Sequence, residues 1–341
     1  MKLANSSPYD IGREHSSAHM IDRRHLLAAG ALGAVLPRLS AAQTFPSKPI
    51  RIVVPFGAGG IADLTARAVA QKLGEGLRQS VIVENKPGAG GIVAGETVAR
   101  AEPDGHTLLL MSNGTAVSAG LFKSLPFDPQ KDFAPVSTLG YFDLAILTAA
   151  NGRFSSMQEL LAYAKANPGK LNVATINIGS TQHLAAELLK TSAGVDVQVI
   201  PFNGSPAVLT ALRGAQVDVA VEILGPMMGQ IASKAVRPLA VMGARRALAL
   251  PAVPTVAESG VRGFDVASWN ALAAPARTPP QVIALLNREL GKALANPDLR
   301  KQLAELNVTP AGGTPEQLAD LLASEIRRWS AVIARANVPR Q

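Results

Sequence analysis

The sequence predicts a two-lobed α/β fold, each lobe a mostly parallel sheet flanked by helices, with the chain crossing between the lobes twice. Three observations predict it. The run Ile50 to Val54, β-branched apart from Arg51, reads as a strand covered on both faces. Gly57, Gly59 and Gly60 lead from it into a helix whose Leu64, Ala68 and Leu73 recur at helical spacing. Strand-like and helix-like segments then alternate along the chain, as βα units do. At 341 residues the chain also exceeds one average core, so two lobes are expected.

The first 42 residues are set aside from the fold. Arg23-Arg24, the apolar run Leu26 to Leu36 and the segment Pro37 to Ala42, with small residues at −3 and −1 before Gln43, have the three-part form of an export signal cleaved after Ala42. Export places the mature chain in the periplasm. The paired arginines fit a twin-arginine signal, although Asp22, Leu26 and Ala28 stand where that pattern prefers Ser or Thr, Phe and Lys, so the export route stays open. Met20 is an alternative start, because polar residues without periodicity are unusual ahead of a signal.

Without the signal the chain keeps 28 basic and 22 acidic residues, a net charge of +6. A mild positive balance attracts anionic solutes. It does not point to nucleic acid, because the basic residues are scattered, aromatics are only 4 % and no nucleic-acid motif is present. No segment after the N-terminus is long and apolar enough to span a bilayer. The chain has no cysteine, which excludes disulfides and thiolate chemistry.

In order, Ser80 to Glu84 is a second strand, and Asn85 to Gly91 a second glycine-rich turn leading into a helix from Ile92 to Ala101. Pro103-Asp104-Gly105 turns the chain into a strand from Thr107 to Met111, which ends in the small polar residues Ser112, Asn113, Gly114 and Thr115. A proline-broken loop, Leu125 to Pro129, precedes the apolar stretch Val136 to Ala149, read as a strand and a crossover. A second series follows: a helix from Ser155 to Ala166, a strand from Leu171 to Thr175, the polar turn Asn177 to Thr181 and a helix to Thr191. Strands at Val197 to Ile200, Val217 to Glu222 and Val236 to Val241 then alternate with helices at Pro206 to Arg213 and Pro226 to Ser233. After the return from Arg245 to Gly260, Phe264 to Ala274 adds a last strand to the first lobe. Helices Pro280 to Ala295, Pro297 to Leu306 and Thr314 to Ala336 complete it, each started by proline or a threonine cap. The expected first lobe is thus 43–143 with 245–341, and the second is 144–244.

The first glycine turn has three readings. It leaves unpaired N–H groups at a helix N-terminus, a seat for a small anion. Gly57-x-Gly59-x-x-Ala62 also matches a dinucleotide fingerprint, with Glu84 about where a ribose-binding acid sits. A glycine-containing βα turn that binds nothing is the third.

Several blocks resemble one family. Phe45-Pro46-Ser47-Lys48-Pro49-Ile50 leading into Val54-Pro55-Phe56-Gly57, then Glu84 to Gly91, Pro103 to Leu108, Pro126 to Pro129 with Lys131-Asp132-Phe133, and Pro251 to Val256 look like the Bug family, the substrate-binding proteins of tripartite tricarboxylate transporters. The resemblance runs from about Phe45 to the last helix. It implies a type II-like periplasmic binding protein that closes over a small carboxylate, holds it by backbone amides, hydroxyls and water, and hands it to transporter membrane subunits. A monomer without cofactor or metal is expected. Carried over by position, the first lobe offers Gly59, Gly60, Ile61, Ala62 and Asp63 with Ser112, Asn113, Gly114 and Thr115. The second offers Thr175, Gly179, Ser180, Thr181, Phe202, Gly204 and Ser205. Glu222 and Trp269 complete the candidate set. Asp63 also has the plain reading of a first-turn acid favouring the helix dipole, and His183 that of a packed side chain.

The chain departs from the family pattern at Gly57 to Ala62, at Asn177-Ile178, at Glu222-Ile223-Leu224-Gly225 and at Trp269-Asn270-Ala271. Glu222 is read as facing the cleft mouth, where it meets a positive or hydrogen-donating part of the ligand; an exposed acid paired with Lys or Arg is its plain reading. No GxSxG elbow, HExxH or Walker sequence is present, so the chain is read as no enzyme. The alternatives are an exported NAD(P)-dependent oxidoreductase and a binding protein that reports ligand to a membrane sensor.

Overall fold

The computed structural model describes residues 45–341, so the export signal read at 1–42 lies outside the described residues. Strand β1 (Ile50–Val54) feeds helix α1 (Ile61–Leu77), followed by β2 (Val81–Asn85), a single 3-10 turn at Ala89–Gly91, and α2 (Ile92–Ala99). Then come β3 (Thr107–Ser112), α3 (Asn113–Leu121) and the long β4 (Phe133–Ala149). The second series is α4 (Met157–Ala166), β5 (Asn172–Ile176), α5 (Thr181–Ala193), β6 (Gln198–Phe202), α6 (Ser205–Arg213), β7 (Val219–Ile223), α7 (Leu224–Ala232) and β8 (Val236–Val241). The chain ends with β9 (Ala267–Pro275), α8 (Pro280–Ala295), α9 (Pro297–Glu305), β10 (Val308–Pro310) and α10 (Pro315–Arg335). Pro280, Pro297 and Pro315 stand at helix starts, where the missing N–H costs nothing.

The strands run in the order β2-β1-β3-β9-β4-β7-β5-β6, with β8 and β10 both pairing β4. The wings are parallel, β1 with β2 and β3, and β5 with β6 and β7. The centre is antiparallel, because β9 runs against β3 and β4, and β4 against β7, β8 and β10. Strand β4 belongs to both lobes: Phe133 to Asp143 pair with β9, and Leu144 to Ala149 with β7 or β8. A second passage runs beside it, where Met242 N donates to Leu144 O over 2.8 Å and Val266 N donates to Met242 O over 2.7 Å. Two adjacent strands of this kind act as a hinge.

Alternation along the strands sorts the side chains into layers. Ile50, Ile52, Val54, Leu108, Leu110 and Leu272 pack under Ala62, Ala66, Val69 and Leu73 of α1 and under Val282, Leu286 and Leu290 of α8. Val53, Leu109, Met111 and Ala271 face Ala116 and Val117 of α3 and Leu322 and Trp329 of α10, and this layer continues to Ile146, Val221 and Leu184 of the second lobe. Ala145, Ala174 and Ala220 lie under Val208 and Leu212 of α6 and Met227 of α7. The layers hold the strands so that β1, β3, β5, β6 and β7 each end at a turn into a helix.

Candidate functional site

Those five turns are linked to one another. Pro55 and Phe56 of the first turn line one recess with Ser112, the last residue of β3, and Thr115 of α3. Asn113 Nδ2 donates to Thr181 Oγ1 over 2.9 Å, joining the first residue of α3 in one lobe to the first residue of α5 in the other. Asn177 N donates to Phe202 O over 3.1 Å, and Ser205 Oγ donates to Glu222 Oε2 over 2.9 Å. The chain of contacts therefore runs from β1 to β7 across both lobes, along the carboxyl ends of strands where open sheets bind ligands.

Asp63 governs the first turn. It is 2 % exposed and accepts Gly59 N over 2.8 Å, Arg67 Nε over 3.0 Å and Asn85 Nδ2 over 2.9 Å. Burial pulls its carboxyl upward, but the hydrogen bonds from Arg67, Gly59 and Asn85 outweigh it and hold the group below the usual aspartate range. Gly59 has φ +82°, a conformation that favours glycine. The carboxylate thus holds the turn in shape through Gly59, Arg67 and Asn85. The N–H groups at Gly60, Ile61 and Ala62 lie in the first turn of α1, outside its intrahelical ladder, with Gly60 exposed and without a side-chain cap.

Helix α3 begins in a capping box. Ser112 Oγ accepts Gly114 N over 3.1 Å, and Thr115 Oγ1 accepts Ser112 N over 3.2 Å. Both expected contacts therefore work at the cap, while Asn113, fully buried, is held from two sides. Its Oδ1 accepts Trp329 Nε1 over 2.7 Å, and the same indole N–H lies 2.7 Å from Glu325 Oε2.

Across from it, Ser180 Oγ accepts His183 N over 3.1 Å and donates to Ile176 O over 3.0 Å, capping α5. Gly179, at φ +80°, sits so close to α3 that an added Cβ would lie 2.2 Å from Leu121 Cδ2. His183 is buried, which pushes its imidazole pKa down and fits the packed reading. Gly204, at φ +89°, opens α6, and Phe202 is half-buried beside it.

Three candidates lie deeper than the sequence implies. The expected cleft-mouth Glu222 is instead 1 % exposed, with Oε1 unpartnered and Oε2 taken by Ser205 and, at 3.4 Å, by Gln182 Nε2. Burial pushes its carboxyl up, and the hydrogen bonds from Ser205, Gln182 and the Ile223 N–H only partly offset that. Among the described residues neither Lys nor Arg pairs with it, so the exposed ion pair is also not what forms. Thr175 is fully buried with Oγ1 unpartnered, and Trp269 is a core residue at 1 % exposed with Nε1 unpartnered. Glu84, the acid expected for a ribose, is engaged by Arg51 at 2.9 Å and Lys86 at 3.4 Å.

Sequence reasoning missed Arg67, Asn85, Gln182 and Trp329. Only Arg67 had a local signal, its i,i+4 spacing from Asp63. Gln182 directly follows the predicted Thr181 on α5 without a signal of its own, and Asn85 and Trp329 reach the site from remote segments.

Residues 65–338 match the family model described as Tripartite tricarboxylate transporter family receptor. A protein of Pseudomonas sp. (strain P51), described as UPF0065 protein in tcbD-tcbE intergenic region, is 39 % identical over 316 residues, 92 % of this chain and 94 % of that one. The structure of the periplasmic binding protein BugD is similar, with a TM-score of 0.75 at 33 % identity, covering 87 % of this chain and 100 % of that one. MatC from Rhodopseudomonas palustris with bound malate gives a TM-score of 0.74 at 33 % identity, covering 85 % of this chain and 100 % of MatC. On these matches and on its two-lobed α/β fold, the chain belongs to the Bug family of tripartite tricarboxylate transporter receptors, which are periplasmic solute-binding proteins.

Proposed function

We propose that this chain is exported to the periplasm, captures a small carboxylate between its lobes without chemical turnover, and delivers it to membrane subunits of a tripartite tricarboxylate-type transporter. One observation carries the reading: the N-termini of α3 and α5, from different lobes, are hydrogen-bonded to each other through Asn113 and Thr181. Two helix dipoles with their positive ends together form a seat for an anion, and the seat is complete only when both lobes contribute. Malate in the similar MatC supports a carboxylate as the anion. The reading takes 43–143 with 245–341 as one lobe and 144–244 as the other, a division supported by the change in the partner of β4 from β9 to β7 after Asp143.

In this reading Gly60, Ile61, Ala62, Gly114, Thr115, Ser180, Thr181 and Ser205 approach the ligand, the second-lobe residues Ser180, Thr181 and Ser205 only on closure. Asp63 and Ser112 position the turns, and Glu222 offers its free Oε1 to a hydrogen-donating group of the solute. The engagement of Glu84 by Arg51 and Lys86 speaks against a dinucleotide. A thermal-shift panel of mono-, di- and tricarboxylates against NAD and NADP tests the proposal. At least one carboxylate is expected to raise the melting temperature and neither nucleotide to do so; stabilisation by nucleotide alone contradicts it.

A further inference from the structure

Asn270 is the one side-chain amide, among the described residues, with both its oxygen and its nitrogen buried and unpartnered. It is 1 % exposed, and neither Oδ1 nor Nδ2 has a hydrogen-bond partner. Its place on β9 is fixed by register. Asn270 stands opposite Ser112, the last residue of β3 and the cap of α3, and opposite Gly140 on β4. Three residues further along β4, at Asp143, that strand leaves the first lobe. The amide is therefore at the carboxyl-end edge of the first lobe, at the foot of the hinge.

The surroundings give it no partner. Facing Gly140 has no side chain and cannot carry one, since a Cβ there would lie 2.7 Å from Thr309 O. Alternation along β9 puts Asn270 on the face of Leu272 and Ala274, the face that α1 covers, and Thr65 on α1 is also fully buried with Oγ1 unpartnered. A buried amide with both ends unpaired opposes folding, and an apolar residue of the same shape would not. In a binding protein such a group is accounted for by the state in which it is paired.

We propose that Asn270 is a polar subsite of the carboxylate site and determines its specificity. Its amide takes a ligand group that both donates and accepts a hydrogen bond, a hydroxyl or a carboxamide, so the preferred solute is a carboxylate carrying such a group and not a plain diacid. The inference rests on the proposed function and narrows its solute class. Glu222, with its free buried Oε1, asks for a donor from the second lobe and agrees with this class.

The test compares calorimetric affinities of wild type and Asn270→Leu for succinate, malate and succinamate, together with melting temperatures of the ligand-free proteins. Wild type is expected to bind malate or succinamate at least about 10-fold tighter than succinate, since a site built to hydrogen-bond a group rejects the analogue lacking it. Asn270→Leu is expected to melt no lower than wild type and to lose that preference, weakening the favoured acid about 10- to 100-fold while leaving succinate within about threefold. Equal losses for all three acids, or a wild type that binds succinate as tightly as the others, overturns the subsite while leaving the proposed function in place. A wild type that binds none of these acids and none of the carboxylates in the thermal-shift panel contradicts the proposed function and the subsite with it. Should Asn270→Leu not fold, Asn270→Ala carries the same readouts.

Discussion

Asn113 and Thr181 hold the two lobes together at their helix N-termini, with Asn113 Nδ2 donating to Thr181 Oγ1 over 2.9 Å while Trp329 Nε1, on the last helix, fixes the amide from behind over 2.7 Å. The bond joins residues 68 apart in the chain, and the second joins residues 216 apart. Thr181→Val keeps the volume and removes the acceptor. We expect ligand affinity to fall by about 1–3 kcal/mol, because the buried Asn113 donor is left unpaired in the closed form. Calorimetry on Thr181→Val, with melting temperature as the fold control, checks this; unchanged affinity removes the bond from the closed state.

Asp63→Asn is expected to loosen the first glycine turn and to cost about 1–3 kcal/mol of stability, since the charge-assisted bonds to Arg67 and Gly59 are lost. The pH dependence has a definite sign. Because the folded carboxyl is held below its ordinary value of 3.8, its contribution is fully present above that pH and is lost as pH falls through the folded value. Urea melts of wild type and Asp63→Asn should therefore stay separated above pH 3.8 and converge below it.

Glu222 has the opposite sign. Its folded pKa lies above the ordinary 4.5, so the folded state binds the proton more tightly and ligand-free stability falls as pH rises from 4.5 through the raised value. Glu222→Gln keeps the shape and an acceptor for Ser205 without the charge. It is expected to be more stable than wild type above that window, with no difference opening below pH 4.5. Denaturant melts across the acid-to-neutral range decide it, and a wild type that gains on Glu222→Gln with rising pH contradicts the assignment.

The parts of this protein that were legible in the sequence are those encoded locally. The strand Ile50–Val54, its glycine turn, the proline-started helices at Pro280 and Pro297 and the strand Val236–Val241 each carry their own signal within a few residues. Strand direction is different. The expectation of a mostly parallel sheet describes the wings, but the antiparallel pairing of β9 with β3 and β4 depends on how the return from the second lobe is routed, which no local pattern states. Strand β10, three residues at Val308–Pro310, is too short to show alternation. At the site, the glycine and serine turns were legible because positive φ and capping demand those residue types. The partners were not, because Ser205 meets Glu222, and Asn113 meets Trp329, only once β7 lies beside β5 and α10 beside α3.

Gly179→Ala tests how closely the lobes approach. The new methyl would meet Leu121 at 2.2 Å and the residue would keep φ near +80°, which costs an L-residue about 1–2 kcal/mol. Ligand affinity is expected to fall, and Leu121→Ala in the same protein to restore part of it by making room. No restoration in the double variant places the defect in the turn's backbone and not between the lobes.

Capture between lobes is tested most directly by a distance measured across them. The chain has no cysteine, so Ile82→Cys on β2, 52 % exposed, and Ser192→Cys on α5, exposed in the other lobe, accept spin labels without background. Pulsed electron resonance on the mature double-labelled protein should give one distance distribution without ligand and a shifted, narrower one when a carboxylate that stabilises the protein is added. A carboxylate that binds and leaves the distribution unchanged would contradict capture between the lobes.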